Sequence, residues 1–220
     1  MIKNVIFDLD GTLLDTREGI LESVRYAARR LGYKELPYEE LLTFVGPPVQ
    51  VSFKNHYGCD DASSQYAADV FRDYYKNHAL LKAEPYEGIY ELCETLKDHD
   101  VKMAVATYKR EDYALTLLKH FGFDRYCDPM HGADNYNRRT KQDIIRMCQQ
   151  EMSADKLNSV LIGDTVNDAI GAEKADTPFI AVTYGFGMHS QREIDEHPHI
   201  GVANMPMEIA DIILRGERNN

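Results

Sequence analysis

The chain has 220 residues, of which 44% are hydrophobic and 28% are charged, and these proportions are typical of a globular protein. Its net charge of −11 argues against a nucleic-acid-binding surface, which needs an excess of Lys and Arg. No apolar run is long enough to cross a bilayer, and the first residues, MIKNVIFD, lack the apolar segment of a signal peptide, so we expect a cytoplasmic protein without membrane partners.

The first predicted element is a buried strand that ends in acidic residues. Residues 5–7 are apolar, and Asp8 and Asp10 follow them directly. The pair Asp10-Gly11 between apolar flanks is also a strong hairpin signal, because both residues tolerate a positive φ. The residues after Thr12 do not return as a strand, however, so the hairpin interpretation is rejected.

The following 68 residues, 16–83, carry only helical patterns, which are interrupted at Gly32, at 46–48 and at 58–61. Such a segment is too long for a loop in a compact domain. We therefore predict a helical cap domain, residues 16–83, inserted into a core formed by residues 1–15 and 84–220.

Beyond the insertion, strand-like runs alternate with helical segments. The β-rich runs are residues 101–107, 159–163 and 178–183, with a weaker one at 199–203. Strands separated by helices indicate a parallel sheet with helices on both faces. The predicted fold class is therefore α/β, with a doubly wound, Rossmann-like parallel sheet and an inserted all-helical cap. The tail, residues 215–220, is expected to fray.

Acidic side chains follow several of these strands. In a doubly wound sheet the ligand crevice lies beyond the carboxyl ends of the strands. Asp8 and Asp10 end the first strand, Thr107 ends the second predicted run, and Asp164 and Asp168 follow the third. Carboxylates crowded into one crevice repel each other unless a cation joins them. An all-oxygen set of this kind suits magnesium (Mg²⁺).

A lysine is predicted to reach the same crevice. Thr140 and Asp143 resemble a helix-capping pair, which would put Lys141 in the first helical turn. A cation there opposes the helix dipole, so its position calls for a functional explanation. We expect Lys141 to contact an anion or a carboxylate in the crevice.

Four short motifs, taken in order, resemble those of the haloacid dehalogenase superfamily, and the nearest group is its phosphoglycolate phosphatase-like phosphohydrolases. The motifs are Asp8-Leu9-Asp10-Gly11-Thr12, Thr107, Lys141 and Gly163-Asp164-Thr165-Val166-Asn167-Asp168. The helical insertion resembles the C1-type cap of that group, so the resemblance spans nearly the whole chain. It implies a Mg²⁺-dependent phosphatase that hydrolyses small phosphate monoesters, such as phosphoglycolate, a sugar phosphate or a nucleoside monophosphate.

The resemblance also implies a role for each motif residue. Asp8 would be the nucleophile that forms a phosphoaspartate, and a metal ligand. Asp10 would protonate the leaving oxygen and then activate water, while its backbone carbonyl binds the metal. Thr107 and Lys141 would hold the phosphoryl oxygens. Asp164 would complete the metal ligands.

The remaining implied roles are less specific. Asp168 would bind through a metal-bound water or orient Lys141. Gly46 and Pro47, in a cap loop that resembles the one dipping toward the active site in this group, together with Tyr108 and Lys109, would contact the substrate. The physiological monoester and the oligomeric state are not determined by these motifs.

Two alternatives remain open. A sugar phosphomutase would use the same pair of aspartates, although those enzymes usually carry Glu-Asp-Ser where this chain has Gly163-Asp164-Thr165. A non-enzymatic receiver module, phosphorylated on Asp, also combines acidic residues with a Thr and a Lys. It takes its phosphorylated Asp from a later strand and has no place for a helical insertion of this size.

Overall fold

The computed structural model describes residues 2–136 and 138–214, so the expected fraying of the tail lies outside the described residues. The chain divides into two compact units. One combines the residues up to Leu14 with those from Pro85 onward, and the other is the insertion Asp15–Glu84. No helix in the described part of the chain has both the length and the apolar character that a membrane span requires.

The secondary structure alternates between strands and helices along most of the chain. The strands are β1 (Asn4–Phe7), β2 (Leu14–Asp15), β3 (Glu84–Pro85), β4 (Lys102–Arg110), β5 (Cys127–Ala133), β6 (Ser159–Gly163), β7 (Phe179–Val182) and β8 (Gly201–Ala203). The helices are α1 (Arg17–Leu31), α2 (Tyr38–Leu42), α3 (Val49–Tyr57), α4 (Asp61–Tyr74), α5 (Ile89–Asp98), α6 (Glu111–His120), α7 (Lys141–Glu151), α8 (Val166–Lys174), α9 (Gln191–Asp195) and α10 (Pro206–Leu214).

The first unit is built on a six-stranded sheet in the order β5-β4-β1-β6-β7-β8. Every neighbouring pair in it is parallel. Helices cover both faces of the sheet. The predicted α/β class with a doubly wound parallel sheet is therefore confirmed.

The strand β5 was missed by the sequence analysis. Its sequence, CDPMHGA, contains a proline and a glycine and has no alternation of apolar and polar residues. Pro129 lacks an N–H to donate, which is tolerated because β5 is an edge strand that pairs only with β4. Strand propensity therefore gives no signal here, although the backbone of β5 pairs with β4, with two shifts of register.

The apolar core on one face of the sheet explains how the central strands are held. Ile6 of β1 and Leu161 of β6 are fully buried against Ile144 and Cys148 of α7 and Ala169 of α8. Because side chains alternate between the two faces of a strand, Ile6 lies on one face of β1 and Val5 and Phe7 on the other, and all four residues of the strand, including the polar Asn4, are buried.

The second unit is built of helices α1 to α4, followed by a π-helical turn at Tyr75–Ala79. Two of the predicted breaks are helix ends. Gly32 and Gly58 follow α1 and α3 with φ of 70° and 64°, a left-handed conformation that glycine adopts without a steric penalty. Asp15 accepts a hydrogen bond from the backbone N–H of Arg17 at 3.0 Å, so it helps to start α1.

The burial of the central strands gives a test of the fold. Leu161→Ala should lower the free energy of unfolding by about 2 to 5 kcal/mol, because it leaves a cavity between β6 and the covering helices. Leu157→Ala is the matched control, since that side chain is 71% exposed and its loss should change stability by about 0.5 kcal/mol or less. Urea unfolding followed by circular dichroism measures both, and equal losses would contradict the central position of β6.

Candidate active site

The register of the three central strands brings the predicted acidic residues to one edge of the sheet. Phe7 pairs with Val105 of β4 on one side and with Ile162 of β6 on the other. Asp8 therefore lies one residue beyond the paired Phe7, Val105 and Ile162. Thr107 and Asp164 each lie two residues beyond them. Asp8, Thr107 and Asp164 are all at least 95% buried.

Lys141 is positioned by the start of α7. The Thr140 hydroxyl accepts the backbone N–H of Asp143, and the Asp143 carboxylate accepts the backbone N–H of Thr140, which is the predicted capping box. Gly171 of α8 leaves the space that the lysine stem needs, because a Cβ there would lie 2.5 Å from Lys141 Cγ. The lysine is 2% exposed.

The Lys141 ammonium joins two carboxylates. Its Nζ lies 2.7 Å from Asp8 Oδ1 and 2.6 Å from Asp168 Oδ1. Burial opposes the charge of this ammonium, but Asp168 and Asp8 raise the pKa of Lys141 above its ordinary value. Lys141 is therefore charged at neutral pH.

Asp168 uses its two oxygens for different partners. Its Oδ2 accepts hydrogen bonds from the Thr165 backbone N–H at 3.0 Å and hydroxyl at 2.6 Å, which caps α8. Its Oδ1 contacts Lys141. Gly163 allows the close approach, since a Cβ there would lie 2.5 Å from Asp168 Cβ. This geometry favours the second of the two predicted roles, orientation of the lysine.

The loop after β7 surrounds Asp164, and the sequence analysis missed it. The backbone N–H groups of Phe186 and Gly187 donate to Asp164 Oδ2 at 2.6 and 3.2 Å, and that of Met188 donates to its backbone carbonyl at 2.7 Å. A Cβ on Gly185 would lie 2.4 Å from Asp164 Oδ2. The available signal was the pattern Gly185-x-Gly187 directly after a predicted strand.

The donor set fits a divalent cation. Asp8, Asp164 and Asp168 each offer an oxygen, and these oxygens lie within 4.8 Å of one another. When all three carboxyls are ionised, the ammonium of Lys141 offsets one of their negative charges, and two remain for a bound cation. Asp164 Oδ1 is buried and has no hydrogen-bond partner among the described residues. An all-oxygen site with this charge suits Mg²⁺.

The pKa values of these carboxyls are raised mainly by burial, and the neighbouring carboxylates add to the rise. Burial raises the pKa of Asp8 to about 7; Lys141 lowers it, and the charges of Asp168 and Asp10 add to the rise. Burial, with the charges of Asp168 and Asp8, raises the pKa of Asp164 well above its ordinary range. A bound cation would compete with protons for these groups.

Asp10 has a lysine of its own. The Lys109 ammonium lies 2.9 Å from each oxygen of the Asp10 carboxylate. The side chains of the pair are only 6% and 9% exposed. The sequence prediction assigned Lys109 to the substrate, whereas the structure brings it to Asp10. The carboxylate of Asp10 is not in the cluster of possible metal ligands among the described residues, and its predicted metal contact was through the backbone carbonyl.

Three further predicted residues, Tyr108, Gly46 and Pro47, lie in different units. Tyr108 is half-buried, and its hydroxyl accepts the backbone N–H of Lys141 at 2.9 Å, so it supports the first residue of α7. Gly46 and Pro47 lie in the second unit, between α2 and α3, where Gly46 has a φ of 98°. Their contact with substrate stays a prediction.

Comparison with known proteins identifies the family. The family model described as haloacid dehalogenase-like hydrolase matches residues 5–182, which include all four motifs. The chain belongs to the haloacid dehalogenase-like hydrolase family. The predicted family membership is therefore confirmed.

Individual proteins are similar to this chain over most of its length. A 5'-nucleotidase of Pseudomonas aeruginosa is 34% identical over 197 residues, covering 89% of each protein. A phosphoglycolate phosphatase of Agrobacterium fabrum is 29% identical over 82% of this chain and 80% of its own length. The crystal structure of a predicted phosphatase from Clostridium acetobutylicum matches with a TM-score of 0.91 at 35% identity, over 98% of this chain and 99% of that chain. Family and relatives confirm the predicted enzyme class, a phosphoric monoester hydrolase.

The surroundings of Asp164 give a test of the metal site. Addition of Mg²⁺ should raise the melting temperature of the protein, and Asp164→Asn should abolish that rise. The amides of Phe186 and Gly187 require an acceptor, so the asparagine oxygen turns toward them and its NH₂ takes the position of Oδ1.

Without Mg²⁺, the Asp164→Asn variant should be at least as stable as the wild type, because a carboxyl whose ionisation is opposed by burial is replaced by a neutral amide. Asp124→Asn is the control, since Asp124 is exposed in a short helical turn distant in sequence from the motifs. Differential scanning calorimetry with and without Mg²⁺ measures all three proteins. An undiminished Mg²⁺ effect in Asp164→Asn would rule out Asp164 as a ligand.

Proposed function

We propose that the protein is a Mg²⁺-dependent phosphatase that hydrolyses small phosphate monoesters through a phosphoaspartate on Asp8. The observation that carries the proposal is the joint position of Asp8, Asp10 and Lys141 at one edge of the sheet, where Lys141 contacts Asp8 and Lys109 contacts Asp10. The family and the phosphatase names of its relatives support the same reaction class.

Asp8 is the proposed nucleophile. One of its carboxylate oxygens attacks phosphorus, the new O–P bond forms as the bond to the leaving alcohol oxygen breaks, and the electron pair goes to that oxygen. Lys141 donates a hydrogen bond to Oδ1 of the Asp8 carboxylate at 2.7 Å, and the Asp8 backbone N–H donates to the Ile162 carbonyl at 2.8 Å, so both the side chain and the backbone of Asp8 are positioned. Such positioning lowers the entropic part of the barrier.

Asp10 is the proposed general acid and base. As the alcohol leaves, Asp10 gives it a proton; in the second step the resulting carboxylate takes a proton from the water that attacks the phosphoaspartate. One proton thus enters and leaves Asp10 in each turnover. Its position two residues after Asp8, at the end of a buried strand, supports this division of roles.

Lys141 and Thr107 are the proposed ligands of the phosphoryl oxygens. Lys141 is charged and desolvated, so its attraction for an anion is much stronger than that of an exposed lysine. Asp168 would orient it through the contact at 2.6 Å. Thr107 is 1% exposed and lies at the same strand edge as Asp8.

Asp8 and Asp164, with the backbone carbonyl of Asp10, are the residues that would hold Mg²⁺. The ion, when bound, would offset the negative charge of the phosphate and of the carboxylates around it. The fit of the donor set supports this assignment, in particular the unpartnered buried oxygen of Asp164.

The proposed substrates are small phosphorylated metabolites. The similar proteins include one named for nucleotides and one named for phosphoglycolate, so both compounds belong in a substrate panel together with sugar phosphates. We assign selection among them to the cap loop with Gly46 and Pro47, as the family resemblance implies.

The nucleophile is tested by phosphate release from that panel. Wild-type protein with Mg²⁺ should release phosphate, and Asp8→Asn should reduce the rate by more than about 1,000-fold, because it removes the attacking charge at nearly constant volume. Asp124→Asn is the control for the same chemical change at an exposed site. Rates of Asp8→Asn near those of the wild type would contradict the covalent mechanism.

The cap loop is tested by Pro47→Ala. We expect the ratio of kcat/KM between two substrates of the panel to change by about 10-fold, while the Mg²⁺ requirement stays the same. Pro37→Ala, at the start of α2 in the same unit, is the matched control. Unchanged ratios across the panel would exclude this loop as a specificity element.

A further inference from the structure

The two proposed catalytic carboxylates differ in how their lysines hold them. Lys141 contacts one oxygen of Asp8 and shares its charge with Asp168. Lys109 contacts both oxygens of Asp10, each at 2.9 Å. The sequence analysis expected Lys109 at the substrate, so this pairing needs an explanation of its own.

The backbone after Thr107 directs Lys109 to Asp10. The Thr107 hydroxyl accepts the backbone N–H of Lys109 at 3.1 Å, which ties together the two residues at the end of the strand. The β4–β5 pairing changes register between Ala106 and Arg110, so the regular alternation of side chains is interrupted here. The Lys109 side chain is buried, with only 6% of it exposed.

We propose that Lys109 is a positioning residue for Asp10, and that it fixes the orientation of this carboxylate for proton transfer to the leaving alcohol. The inference rests on the proposed function. A single ammonium held at equal distances from both oxygens restricts rotation of the carboxylate about its Cβ–Cγ bond. Proton transfer requires hydrogen-bond geometry to the reacting oxygen, so a freely rotating carboxylate transfers a proton less efficiently.

This role predicts which substrates depend on Lys109. The alcohol part of an alkyl phosphate leaves as an alkoxide unless it receives the Asp10 proton as the P–O bond breaks. The leaving group of an aryl phosphate such as 4-nitrophenyl phosphate is a stable phenolate, which needs no proton. The parameter kcat/KM covers the steps up to release of the alcohol and excludes hydrolysis of the phosphoaspartate, so it isolates the acid role of Asp10.

The test compares Lys109→Met with the wild type on both substrate types, in the presence of Mg²⁺. We expect kcat/KM to fall by about 10- to 100-fold for an alkyl phosphate and by less than about threefold for 4-nitrophenyl phosphate. Lys109→Arg should recover part of the alkyl phosphate activity, since a guanidinium can also contact both oxygens. Lys102→Met, on the exposed first residue of the same strand, should leave both values unchanged.

A double-mutant cycle provides the second measurement. In an Asp10→Asn background, Lys109→Met should cause no further loss on the alkyl phosphate, because the residue through which it acts is gone. If Lys109→Met destabilises the protein, Lys109→Gln, whose side chain has nearly the same length, replaces it in this comparison.

The outcomes separate the two levels of the proposal. Equal losses on both substrates with a raised KM would make Lys109 a direct phosphate ligand and overturn the inference, as would additive losses in the double mutant. Unchanged kcat/KM values in Lys109→Met would also overturn the inference. A wild type that releases phosphate from neither substrate would instead contradict the proposed function.

Discussion

The balance of charge at the carboxyl ends of β1 and β6 is the constraint on which the rest of the structure depends. A buried carboxylate without a partner costs several kcal/mol, and four buried carboxyl groups lie within this small region, so each of them needs a partner. Asp8 and Asp168 share Lys141, Asp10 pairs with Lys109, and Asp164 accepts two backbone amides. The partners come from three different elements, so the helix α7, the end of β4 and the loop after β7 must all be in position before the site can form.

The same constraint determines where side chains are left out. Gly163, Gly171 and Gly185 are positions where a Cβ would lie about 2.4 to 2.5 Å from an atom of Asp168, Lys141 or Asp164. None of these three glycines has a positive φ, so their backbones could accommodate another residue. They are glycines because charged side chains pass beside them, and this makes the glycine pattern a consequence of the site.

Much of this arrangement could be predicted from the sequence, because strands and caps have local signals. The apolar runs of β1, β4, β6 and β7 and the Thr140/Asp143 capping box were visible as patterns. The edge strand β5 was not, because Pro129 and Gly132 remove the usual strand signal. The Asp164 loop was missed since it acts through backbone N–H groups, which every residue except proline carries. The contact of Lys109 with Asp10 depends on a register change in the β4–β5 pairing, and no sequence pattern predicts that change.

The way in which Asp164 is held also has a consequence for the choice of ion. Its Oδ2 is occupied by the amides of Phe186 and Gly187, so only Oδ1 can reach a cation, and the carboxylate can bind through one oxygen alone. Calcium sites often use carboxylates that bind through both oxygens in a wide, flexible shell, whereas magnesium demands a small octahedral one with single-oxygen ligands. In the proposed Mg²⁺ site, the loop after β7 would therefore leave Asp164 as a single-oxygen ligand of the kind that magnesium uses, without contributing a charged side chain.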